Sequence, residues 1–201
     1  MIRGPAVVAI VAGFWIGLSV ALPKPVLAQT KLKPGRYPIN ITKSGSYVLT
    51  DNLEPGNKNS DAIDVSTSNV TIDLNGFSIK GPNLSGSGVG IDASGQDSVT
   101  VQNGSVSKMG AGGVIVGNYG VVRNLRSIGN GTSGSGAGIQ CTGTSCLFEN
   151  CVASGNGSPG LVFLDTSSGY QNDVIIGNTG GTVSSGTNMG ANVCNNSATC
   201  P

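Results

Sequence analysis

The sequence predicts an all-β solenoid, a stack of similar coils, and three observations lead there. Gly, Ser, Asn and Thr account for 90 of the 201 residues, 33 of them Gly, which is a composition of turns and short strands rather than of helices. Short Val/Ile runs recur at a nearly constant interval, supplying apolar surface that a disordered polar chain lacks. Asparagines recur in step with those runs. Charged residues make up 10% of the chain and the formal net charge is +1, with no basic block, so nucleic acid is not an expected partner.

Taken in chain order, the first element is an address rather than part of a fold. Arg3 precedes the apolar stretch 6–22, Pro23-Lys24-Pro25 breaks it, and Val26-Leu27-Ala28 supplies a small-residue cleavage site. That is the layout of a secretory signal peptide over 1–28. No Lys/Arg cluster follows as a stop signal, so no membrane span is expected after cleavage. The mature domain 29–201 is then expected to be secreted or periplasmic. An N-terminal cap is expected over about 31–53, where Lys, Pro and Tyr residues block the open strand edge.

The repeats come next. Ile63-Asp64-Val65, Ile91-Asp92-Ala93, Ile115-Val116-Gly117, Ile139-Gln140-Cys141 and Val162-Phe163-Leu164 begin at gaps of 28, 24, 24 and 23 residues. In each, the first and third residues are apolar or small, as expected of a strand turning alternate side chains inward. Asn75, Asn103, Asn124, Asn150 and Asn172 follow the five runs by 12, 12, 9, 11 and 10 residues. Asparagine suits a bend because it tolerates the left-handed backbone region, and its amide can bond the amide one coil up, so these five are expected to form a structural ladder. A further column, Gly129-Asn130, Gly155-Asn156 and Gly177-Asn178, lies six residues beyond the last three. Val70-Thr71-Ile72-Asp73 and Val99-Thr100-Val101-Gln102 read as a second strand per coil.

All five cysteines, at 141, 146, 151, 194 and 200, fall in the mature part, where an oxidising compartment permits pairing. Spacing alone does not fix the connectivity. Local pairs are favoured, Cys194 with Cys200 to close a C-terminal tail over about 183–201 and Cys141 with Cys146 across one turn, leaving Cys151 unpaired. With no histidine and no C-x-x-C, a zinc centre is disfavoured.

The segments Asn69-Val70-Thr71-Ile72-Asp73-Leu74-Asn75-Gly76 and Val99-Thr100-Val101-Gln102-Asn103-Gly104-Ser105-Val106, with the Asn…Gly-Asn units at 124–130, 150–156 and 172–178, resemble the right-handed parallel β-helix repeat family, the pectate lyase-like superfamily. The resemblance covers roughly 37–193 and implies a single-stranded right-handed parallel β-helix of about five to six coils. It specifies stacking rather than an activity.

On such a helix the outward residues of the first strand form a column of Asp64, Asp92, Val116, Gln140 and Phe163. Relatives acting on acidic polysaccharides place carboxylates on a strand face, and Asp64 and Asp92, one coil apart, are the candidates for catalytic acid and base or for a calcium site. Gln140 and Phe163 are the candidates for contacting a substrate. Without histidine a serine triad or Cys–His pair has no base, and the polygalacturonase pattern of clustered Asp with His is missing. Arg123 is expected to pair with Glu149 on a neighbouring coil. The leading expectation is a structural or glycan/surface-binding module without a catalytic centre or cofactor, partnered by polysaccharide or cell-envelope components. The alternative is a small polysaccharide lyase, hydrolase or epimerase acting on acidic glycans.

Overall fold

A computed structural model describes residues 28–132, 135–195 and 200. But for Ala28, the expected signal peptide lies outside the described residues. Among those residues there is no helix, and none is long and apolar enough to cross a membrane. The chain forms a parallel β-solenoid.

Seven parallel strands make the first sheet: Ile39–Ile41, Ile63–Val65, Val89–Ala93, Gly112–Val116, Ala137–Cys141, Leu161–Phe163 and Val183–Ser184. That makes about seven coils against the five or six expected. The two extra rungs, Ile39–Ile41 and Val183–Ser184, fall in the segments read from sequence as caps. A second sheet stacks Gly45–Leu49, Val70–Asp73, Leu147–Glu149 and Gly169–Gln171 with the first halves of two long strands, Thr100–Ser107 and Val121–Ile128. The second halves of those strands pair with Ser78–Lys80 and Val152–Ser154, which begin a third face that continues through Val174–Ile176 to Val193–Cys194.

The corner between the second and third faces is the asparagine column. Asn75, Asn103, Asn124, Asn150 and Asn172 have φ of 51°, 62°, 51°, 54° and 57°, so one left-handed residue turns each coil without a loop. In the two long strands the ladder continues on both sides of the bend.

The expected amide ladder is elsewhere. Of the corner residues, only Asn124 donates to its counterpart, Nδ2 to Asn103 Oδ1 at 3.2 Å, while Asn103 donates to Asp73 and Asn75 to Leu49 O. The continuous ladder is the buried column Asn130, Asn156 and Asn178, where Asn130 Nδ2 donates to Asn156 Oδ1 at 3.1 Å and Asn156 Nδ2 to Asn178 Oδ1 at 2.8 Å. The same oxygens accept the main-chain N–H of Asn130 and Asn156. These amides turn inward because Gly113, Gly138 and Gly160 face them, and a Cβ at Gly138 would lie 2.7 Å from Asn156 Nδ2.

Most of the remaining interior is apolar. Ile63, Ile91, Val114, Ile139 and Leu161 stack in one column, Ile72, Val101, Val122, Phe148 and Tyr170 in another. Phe163 is 1% exposed and stacks on Phe148 at 4.6 Å between ring centroids and on Tyr170 at 6.0 Å. The expectation that Phe163 and Val116 point outward is therefore corrected. The frame of two runs slips by one residue, and a slip of one reverses every face of a strand with period two. Ile115 and Val162 are the outward residues, and Val114, Val116, Leu161 and Phe163 are inward. Both favoured disulfides form, Cys141 with Cys146 and Cys194 with Cys200, and Cys151 is a buried free thiol.

Candidate functional site

With the frame corrected, the outward column of the first sheet runs Asn40, Asp64, Asp92, Ile115, Gln140, Val162 and Ser184, each in register with the next. Asp64 and Asp92 are direct register partners, so they sit one strand spacing apart, about 4.8 Å along the stack. Both are half-buried, and Asp92 Oδ1 accepts the Ser94 N–H at 2.9 Å. A third carboxylate, Asp61, joins them from the preceding loop. Burial first, then the charges of Asp92 and Asp64, hold its carboxyl above the ordinary value, against a Val89 N–H bond that lowers it. Among the described residues no group of three or more His, Cys, Asp or Glu is placed to hold a metal ion. Gln140 is half-buried between Ile115 and Val162. Phe163, deep in the core, has no access to a ligand.

The second sheet presents a polar column, of which the sequence already sets Gln102, Arg123, Glu149 and Gln171 in line. Asp73, Gln102, Arg123, Glu149 and Gln171 are consecutive rungs. Gln102 Nε2 donates to Asp73 Oδ2 at 3.0 Å, Arg123 Nε donates to Gln102 Oε1 at 2.8 Å, and Gln171 Nε2 donates to Glu149 Oε2 at 3.2 Å. Register sets Arg123 beside Glu149 as expected, but the guanidinium Nε bonds the glutamine on its other side. The sequence contained this signal, because Gln102, Arg123, Glu149 and Gln171 each stand one residue before a corner asparagine; Asp73, two before Asn75, departs from it.

Among the described residues one carboxyl group lies inside the stack. Asp173 is 1% exposed; its Oδ1 accepts the Cys151 N–H at 2.7 Å, while its Oδ2 has no hydrogen-bond partner. Its main-chain N–H donates to Asn192 Oδ1 at 2.8 Å, linking it to the last coil. Burial, reinforced by the charge of Glu149, pushes its carboxyl up to about 7, although main-chain N–H bonds oppose the rise. Burial and the neighbouring Asp173 likewise push the Cys151 thiol far above its ordinary value, which makes it inert as a nucleophile. No signal in the sequence distinguished Asp173 from the asparagines around it.

Comparison of the chain with protein-family models, with curated proteins and with solved structures finds no match.

Proposed function

We propose that this chain is a secreted or periplasmic β-helix repeat protein of the pectate lyase-like kind that acts as a structural or glycan-binding module at the cell envelope. The carrying observation is the polar column Asp73–Gln102–Arg123–Glu149–Gln171, in which Asp73, Gln102 and Arg123 bond across three successive coils and Glu149 and Gln171 across the next two. A rigid file of amides, carboxylates and a guanidinium, repeated about every 4.8 Å, matches the hydroxyls and ring oxygens of an extended polysaccharide. Ladder bonds fix these side chains before binding, which lowers the ordering cost of association. The two disulfides support an oxidising compartment. The test is affinity electrophoresis of the protein through gels containing neutral or acidic polysaccharides. Retardation by at least one polymer, lost in Gln102→Ala/Arg123→Ala with the β-sheet circular dichroism intact, is expected. Equal migration in every gel rules glycan binding out.

A second reading, a small lyase, hydrolase or epimerase of acidic glycans, is favoured by the register pairing of Asp64 with Asp92 beside the perturbed Asp61. On that reading these carboxylates serve as acid and base or hold a calcium ion. Release of unsaturated or reducing ends, abolished in Asp64→Asn/Asp92→Asn, would favour it over the binding module; a calcium-induced rise in melting temperature, lost in the same variant, is the signature of the ion.

A further inference from the structure

A cleft of about 330 Å³ lies beside the third face near the N-terminal end of the stack, lined by Glu54, Pro55, Gly56, Lys80, Gly81, Pro82 and Lys108. This is the lower end of the range for small-ligand sites. The stacking register builds it. The bridge from Leu53 to Ile79 sets Glu54 level with Lys80, and Lys80 is in turn level with Ser107. One step along, Pro55, Gly81 and Lys108 follow as the next column. Lys80 and Lys108 are thus diagonal neighbours on adjacent coils.

Three properties of this arrangement lack a structural reason. First, among the described residues neither lysine ammonium nor the Glu54 carboxylate makes a hydrogen bond or ion pair, although register sets Glu54 next to Lys80. Secondly, like charges on adjacent strands repel, and the cleft sets a single carboxylate, Glu54, against the two ammoniums. Thirdly, Lys108 occupies a left-handed position with φ of 56°, in the column where the next three coils have Gly129, Gly155 and Gly177 at 61°, 65° and 63°. Glycine adopts that backbone freely and a residue with a Cβ does not, so the stack tolerates at this one rung a strain that it avoids at the three that follow. Gly81, below it, has no such latitude, since a Cβ would lie 2.3 Å from the Lys108 carbonyl oxygen.

We propose that this cleft binds the oxyanion of a small hydroxylated ligand, a sugar acid or sugar phosphate. Lys80 and Lys108 meet the negative oxygens and Glu54 accepts from a neighbouring hydroxyl. Two ammoniums offset the charge of one oxyanion and lose their mutual repulsion on binding. The carboxylate beside them favours a ligand bearing hydroxyl donors over a bare anion. The site is separate from the polar column of the second sheet, so loss of one leaves the other testable.

The experiment is isothermal titration of the disulfide-bonded protein with inorganic phosphate, with glucuronate and with glucose. Saturable binding of an anion and none of glucose is expected. Phosphate binding alone identifies a phosphate ester as the ligand type, and glucuronate binding alone identifies a sugar acid. Lys108→Gly is the decisive variant, because it removes the charge while giving the backbone the residue its neighbours use. It should weaken anion binding about tenfold or more and leave the melting temperature unchanged or higher. Glu54→Gln should weaken glucuronate more than phosphate. The proposal is overturned if neither anion binds saturably, if Lys108→Gly binds as the wild type does, or if Lys108→Gly lowers the melting temperature, which would make Lys108 a structural residue.

Discussion

Replacing Asp173 with asparagine should stabilise this protein above neutral pH and remove much of its loss of stability with rising pH. The carboxyl is buried, one of its oxygens is unpartnered, and its proton is held to about 7 in the folded chain against an ordinary value of 3.8. Between those two values the folded state holds a proton that the unfolded state has released, so stability falls as pH rises through this window. The fall is about 1.4 kcal/mol per pH unit, reaches about 4 kcal/mol in total, and levels off above pH 7. Asparagine keeps the acceptor for the Cys151 N–H and carries no charge at any pH. The facing groups are Glu149, Cys151 and Tyr170; Glu149 supplies the repulsion, and the thiol and phenol stay neutral throughout the window. Urea unfolding of wild type and Asp173→Asn at intervals from pH 4 to pH 8 reads the effect directly. The stability of the variant relative to wild type should grow steadily from pH 4 to pH 7 and then remain constant. A difference that is flat across the range, or that grows as pH falls, refutes the account of a carboxyl forced to stay protonated by its burial.

Two further substitutions probe the interior. Asn156→Ala removes the acceptor for the main-chain and side-chain N–H groups of Asn130 and the donor to Ser127 O, leaving buried polar groups unpaired at a cost of about 3 kcal/mol or more; urea unfolding should show the loss, and a change under 1 kcal/mol would mean that water enters the column. Phe163→Ala opens a cavity between Phe148 and Tyr170 and should cost about 3 to 5 kcal/mol, measured in the same way. Loss of polysaccharide retention by Phe163→Ala without loss of stability would contradict its inward placement.

What could be read from the one-dimensional chain was whatever repeats once per coil. The composition of turns, the spacing of the Val/Ile runs and the asparagine column establish a parallel solenoid, because stacking places like residues over like and so imprints its period on the sequence. The local cysteine pairs were legible for a related reason, since short loops bring their ends together whatever surrounds them. Facing was not. Ile115-Val116 and Val162-Phe163 are apolar at both positions, so alternation leaves the frame open, and only contact with neighbouring coils settled which member of each pair lies inside. The roles of the two asparagine columns were likewise decided in three dimensions: the corner residues face solvent, while Asn130, Asn156 and Asn178 turn inward because glycines on the opposite wall leave room for an amide. Asp173, Glu54, Lys80 and Lys108 acquired their properties from register alone. Residues that are distant along the chain became neighbours one strand apart, and burial or unpaired charge at such a point is a property of the stack rather than of any segment of the sequence.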